Sequence, residues 1–175
     1  MSATIWALQK LQQAGWEIEL AEAPLPIPAI IRERYPDLPE TMVEFLLLQR
    51  QCHNVDETAW FLSWADYEGT SDSGFRWNEF EIMESEWAFQ DNDLAWHNQV
   101  KEFWDNHFPF LLSFKTGYSY FAVRLCESNF EKVVHGYEPM FTETSEIATT
   151  FEEFLQLLAK TVSQPNGEGL LQAAV

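Results

Sequence analysis

The stretch His107 to Leu125, HFPFLLSFKTGYSYFAVRL, constrains the fold more than any other part of the chain. Phe108 to Phe114 is almost continuously apolar, which suits a strand covered on both faces or running through a core. Lys115-Thr116-Gly117 reads as the turn, with Gly117 free to take positive φ. From Tyr118 the pattern alternates. Ser119, Phe121, Val123 and Leu125 share one face, and Tyr118, Tyr120, Ala122 and Arg124 share the other. The flanking segments read as the pieces that cover this hairpin, and no residue in it is an obvious catalyst.

Before the hairpin, Ile5, Leu8, Leu11 and Gln12 sit at helical spacing and Gly15 offers a C-cap, so a helix is expected over Thr4 to Ala14. The Pro-rich EAPLPIP connector leads to a short helix, Ala29 to Arg34, started by Pro28 and stopped by Pro36. Pro39 opens a broader helix that carries Met42, Val43, Phe45, Leu46 and Leu48 and should run to Arg50 or Gln51. Ala59 to Ala65 reads as a strand and Asp66 to Gly74 as a loop. Phe75 to Met83 reads as a strand with mixed alternation. Either a bulge near Asn78 changes its register, or one face is half aromatic and half acidic. Glu84 to Asp105 reads as helical, in one piece or in two divided at Asp91-Asn92-Asp93.

After the hairpin, Phe130 to Tyr137 reads as a third strand of the same group. Thr149 and Thr150, with Glu152 and Glu153, mark the start of a final amphipathic helix carrying Phe151, Phe154, Leu155, Leu158 and Val162. The expected fold is α+β: an antiparallel or mixed sheet of about four to six strands with helices packed on it. Its core should include Phe45, Leu46, Phe110, Leu112, Phe121, Val123, Phe154 and Leu155. Residues 1–28 form an N-terminal helix and connector, 29–162 the domain, and 163–175, with Pro165, Asn166, Gly167 and Gly169, a frayed tail.

Composition narrows the function. A net charge of −18 argues against nucleic acid and against an anionic membrane surface, since both demand Lys and Arg. It serves either solubility or the steering of a basic partner. Cys52 and Cys126 are far apart and in no C-x-x-C pair, and no window has the apolar length of a membrane span. The N-terminus has no basic run followed by an apolar one. A soluble, cytoplasmic protein is expected. His53, His97, His107 and His135 show no helical i, i+4 pair, and neither a G-x-S-x-G elbow nor a P-loop occurs. Cys126 with His135 could form a nucleophile pair, but a small strand cysteine is the simpler reading. No catalytic residue, metal site or cofactor is assigned.

Charge concentrates between Asp66 and Asp105, where Asp66, Glu68, Asp72, Glu79, Glu81, Glu84, Glu86, Asp91 and Asp93 face only Arg76 and Lys101. Phe75, Trp77, Trp87 and Phe89 are interleaved with them. This is either a solvated face over a core that uses those aromatics, or a docking surface with aromatic anchors and acidic steering.

The order of these features resembles a known family. Leu38-Pro39 opens a helix with Phe45-Leu46, and a Trp-rich strand follows. Then come His107-Phe108-Pro109-Phe110, a turn at Gly117, and an aromatic strand ending Val123-Arg124-Leu125. A Phe151-x-x-Phe154-Leu155 helix closes the pattern. From Ala29 to Leu158 the chain is similar to the SUKH superfamily, whose best-known members are the fungal Smi/Knr-type cell-wall assembly regulators. The resemblance implies an immunity protein that binds and neutralises a cognate bacterial toxin, or alternatively a regulatory interaction scaffold.

On the first implication the protein is a monomer when free and acts by occlusion. Asp66, Glu68, Asp72, Phe75, Trp77, Glu79, Glu81, Glu84, Glu86, Trp87, Asp91 and Asp93 then meet a basic face of the toxin, with Trp77 or Trp87 as anchor. Reversing Glu79, Glu81, Glu84 and Glu86 should then cost binding and leave stability unchanged.

Overall fold

The computed structural model describes residues 2–164, 166 and 168–175. In chain order these form α1 (Ala3–Gln13), β1 (Glu17–Leu20), α2 (Ala29–Arg34), α3 (Glu40–Leu48), β2 (Gln49–His53), β3 (Ala59–Phe61), α4 (Trp64–Glu68), α5 (Glu79–Gln90) and α6 (Leu94–Asp105). Then follow β4 (His107–Ser113), β5 (Ser119–Arg124), β6 (Val133–Tyr137), β7 (Thr144–Ala148), α7 (Phe151–Val162) and α8 (Leu170–Ala174). The strands make one 7-stranded sheet in the order β1 to β7, each antiparallel to its neighbour in sequence. The fold is α+β, as expected, and its sheet has more strands than the expected range. No helix among the described residues is long and apolar enough to cross a membrane.

The hairpin β4–β5 lies inside this sheet, and its burial explains its composition. Every residue of β4 is buried, and so are Ser119 to Val123 of β5. Tyr120 and Phe121 are neighbours, so they point to opposite faces. Phe121 meets Phe154 of α7 at 5.2 Å between ring centroids, and Tyr120 meets Trp104 of α6 at 4.7 Å. Pairing passes from Pro109–Ala122 to Leu111–Phe121, which leaves Phe110 as the extra residue of a bulge. Its ring packs edge-on against Phe151 and Phe154 at 5.0 and 5.1 Å. Each fully buried ring contributes roughly 1.5–3 kcal/mol of transfer free energy, before conformational entropy is charged against it.

The flanking helices supply the two covers. Phe45 of α3 joins Phe61, Phe110, Phe151 and Phe154 on one side. Phe80 of α5, with Phe141 and Trp87, joins Tyr120 and Trp104 on the other. The first 28 residues are part of this body: α1 buries Ala7, Leu8 and Leu11 and packs on α7, and β1 is an edge of the sheet. The end of the tail is docked, not frayed. Ala174 and Val175 are buried, and the Asn54 side-chain amide donates to the Val175 carbonyl at 3.1 Å. Pro165 and Gly167 of the expected tail lie outside the described residues.

Other expectations are corrected. The strand expected over Ala59 to Ala65 stops at Phe61. Ser63 then caps α4 in a reciprocal box with Asp66, so part of the expected loop is helix. Phe75 to Met83 is not a strand: Glu79 begins α5, and Phe80, Glu84, Trp87 and Ala88 share its inward side. That spacing is helical, but a glutamate in the apolar stripe disguises it. The division at Asp91-Asn92-Asp93 is real, with Asp93 capping α6 through the Trp96 N–H. Helix α3 ends at Leu48, and the polar QRQCH that follows is β2. The edges β1 and β7 were not anticipated, because both are short and mostly polar.

Tyr120 lies across Gly136 of β6. A Cβ built there would come within 2.5 Å of the tyrosine ring and hydroxyl. Gly136→Ala should therefore destabilise the protein by about 1–3 kcal/mol in urea unfolding. The cost should shrink clearly in a Tyr120→Leu background. An equal cost in both backgrounds would refute the contact as its cause.

Candidate protein-docking surface

Helices α5 and α6 pack on each other as an antiparallel pair joined by a tight turn. Asn92 takes a φ of 54° there, a left-handed conformation that asparagine tolerates better than most residues. Phe80, Glu84, Ala88, Val100 and Trp104 are buried where the pair seats on the body. The far end of the pair projects, and the acidic stretch divides accordingly.

Much of that stretch is structural. Asp66 is buried and accepts the Ser63 N–H and hydroxyl, each at 2.7 Å. Trp77 is buried between Tyr35 and Tyr67, beneath the Arg34 guanidinium. Phe75 is half-buried among Trp60, Phe114 and Tyr118. Glu79 is half-buried and accepts the Arg76 N–H at 3.1 Å. Glu81 takes a bidentate pair from Arg34 at 2.8 and 2.7 Å, and the same guanidinium donates to Asp105 of α6 at 3.0 Å. Burial works to lower the Arg34 pKa, but the Glu81 hydrogen bond, with nearby charges including Asp105, more than offsets it, and the net shift is upward. Trp87 is half-buried and stacks on Phe141.

Glu84 is 0 % exposed. One carboxylate oxygen accepts from the Thr142 hydroxyl at 3.0 Å, and the other finds no partner within hydrogen-bond geometry among the described residues. Burial raises its pKa above the ordinary glutamate value, opposed by Thr142 and by the Trp96 indole, which lies outside hydrogen-bond geometry. Reversing Glu79, Glu81, Glu84 and Glu86 together cannot leave stability unchanged. It would bury a lysine at position 84 and strip Arg34 of its bidentate partner.

The acidic residues that remain exposed are Glu68, Asp72, Glu86, Asp91 and Asp93, the last also capping α6. Glu68 and Asp72 flank the end of α4, apart from the rest in sequence. Asp91 and Asp93 lie in the α5–α6 turn and Glu86 one turn of helix before it. Beside them in the chain stand two large apolar side chains, Phe89 and Leu94, which are 76 % and 71 % exposed. The acidic-apolar combination expected of the whole stretch is thus realised at this tip. The large apolar side chains exposed there are Phe89 and Leu94, whereas Trp77, expected as an anchor, is buried. The missed signal was the helical phase of α5: once Phe80, Glu84 and Trp87 are set inward, Phe89 must point out.

His53, His107 and His135 are buried. Burial pushes His107 and His135 down to about 4, and the His107 ring stacks on Phe103 at 3.8 Å. His53 Nδ1 lies 2.9 Å from the Asn54 carbonyl. Among the described residues, no group of three or more His, Cys, Asp and Glu side chains is arranged to hold a metal ion. No protein-family model matches the chain, and no curated protein matches it.

Because the folded state holds the Glu84 proton more tightly than the unfolded chain, this group favours folding fully at pH below its unfolded value. That contribution is lost as pH rises through the folded value. Glu84→Gln keeps an acceptor for Thr142 and removes the buried charge. It should raise Tm relative to wild type at pH 8, with the gain fading towards pH 4. Thermal melts across that range check this, and a gain that grows as pH falls would contradict it.

Proposed function

We propose that this protein is a stoichiometric inhibitor of the immunity-protein type, which binds a toxin through the α5–α6 tip and occludes its working surface. The observation that carries the reading is the exposure of Phe89 and Leu94 among Glu86, Asp91 and Asp93, on a helix pair fixed to the body by Arg34. Large apolar side chains left in water on a rigid element are a recurrent mark of binding sites. Rim carboxylates steer a cationic partner and set its encounter rate. The resemblance of the core pattern to the SUKH superfamily supports a toxin as the partner, with a basic face such as a substrate cleft. Both cysteines are free thiols, which suits a reducing compartment, and we place the action in the cytoplasm. The large negative charge opposes self-association, so the free protein is proposed to be monomeric.

A variant carrying Glu86→Lys, Asp91→Lys and Asp93→Asn removes the exposed charge and keeps an α6 cap. Its folding stability should stay within about 0.5 kcal/mol of wild type. Co-expressed with a toxin whose lethality the wild type suppresses, it should fail to protect. Purified, it should associate at least about tenfold more slowly at low salt, with the gap closing as salt screens the charges. Unchanged association at low salt would overturn the reading of this surface.

A further inference from the structure

Phe89 stands between two adjoining hollows that differ in size and chemistry. The larger, of 470 Å³, runs along the outer side of α5 from Asn78 past Ile82, Ser85 and Glu86 to Gln90, with His97 of α6 as its wall. Asn78, Ile82, Ser85, Glu86 and Phe89 recur at helical spacing, so the groove follows the helix for about 16 Å at 1.5 Å per residue. The smaller, of 130 Å³, lies at the turn between Ala88, Phe89 and Leu94, with Asp93 on its rim. Phe89 and His97 border both.

We infer that the partner is read by these two hollows together: a basic, amphipathic segment places an Arg or Lys side chain in the larger and a neighbouring apolar side chain in the smaller. This rests on the tip being the docking surface, and not on the partner being a toxin. Neither hollow is lined by a lysine or arginine. Lys101, the one lysine or arginine of the helix pair, is held by Asp105 at 2.7 Å. Glu81, on the inner flank of the groove, is already saturated by Arg34. Glu86 is exposed, lines the groove and has no ion-pair partner among the described residues. The aliphatic stem of a long basic side chain fits against Ile82 and Phe89, while its head reaches Glu86. A guanidinium gains further by lying over the Phe89 ring.

The smaller hollow has the size for one branched or aromatic side chain, since a dry cavity of roughly 150 Å³ accepts a benzene ring. Because the hollows share a wall, the two side chains must be close neighbours on one face, as at i, i+3 or i+4 of a helix. Charge excludes the other occupants. Nucleic acid and anionic lipid are repelled, and a second copy of the chain would bring Glu86, Asp91 and Asp93 against their own kind.

The test is selection of a displayed random-peptide library on the purified full-length protein, followed by fluorescence polarisation of the enriched peptides. They should carry Arg or Lys and an aliphatic or aromatic residue two to four positions apart. Their binding should weaken by at least about tenfold with Glu86→Lys, and likewise with Phe89→Ser or Leu94→Ser. Glu152→Lys, on α7, should leave it within about twofold. Each altered side chain is exposed, so circular dichroism should stay as wild type. Enrichment of acidic or uncharged peptides, or of basic ones indifferent to Glu86→Lys and Phe89→Ser, would overturn the inference. Peptide binding as described, with the same variants still protecting cells from a toxin, would retire the tip as the toxin-binding surface and keep this inference.

Discussion

Burial of one hairpin on both of its faces is the constraint on which the rest of this structure depends. Because Tyr120 and Phe121 are adjacent in β5 and both fully buried, the sheet needs a helical layer on each side of its centre. Helix α7 supplies one through Phe151 and Phe154, and α5 and α6 supply the other through Phe80 and Trp104. Gly136 follows from the same demand, since the Tyr120 ring occupies the space a side chain there would need. An antiparallel meander can leave one face to water, but here the aromatic content of the central strands forbids it.

The second layer does more than cover. Its helices are joined to the body by Arg34, whose guanidinium reaches Glu81 on α5 and Asp105 on α6 from the end of α2. Three elements far apart in sequence are thereby fixed by one planar group, a role a point-charged lysine would fill poorly. The consequence for function is positional. Carboxylates near the base of the helix pair are used up in holding it, while those at its tip face solvent with Phe89 and Leu94. The charge that looks uniform in the sequence is divided between acids held in the fold and acids at the surface.

The legible parts of the fold were those where pattern and burial agree. The hairpin announces itself through nearly continuous apolar residues, α7 through periodic ones and capping chemistry at Thr150, and α2 through the prolines that bracket it. The edges β1 and β7 could not, because a half-exposed edge strand carries little apolar signal. The start of helix α5, Glu79 to Met83, reads as strand because Glu84 interrupts the apolar stripe that continues into the part expected to be helical. A buried carboxylate with one oxygen accepting from Thr142 is a tertiary arrangement that no local pattern can show. Of the two expected anchors, Trp77 falls in the stretch read as a strand and Trp87 in the stretch read as helix; in the fold Trp77 is buried, and the phase of α5 turns Trp87 towards Phe141 and sends Phe89 to the surface. The acidic-aromatic character of the region was visible, but its division into core and surface required the helix.

The central claim is that recognition occurs at the α5–α6 tip while the acids nearer the body serve the fold. Amide hydrogen exchange of the free protein against its complex with a co-purified partner tests this most directly, because it needs no substitution. Binding should slow exchange across residues 86–98, where the two helices meet at an exposed turn, and leave the edge strands β1 and β7 as they are in the free protein. Protection confined to either sheet edge, with residues 86–98 exchanging as before, would contradict it.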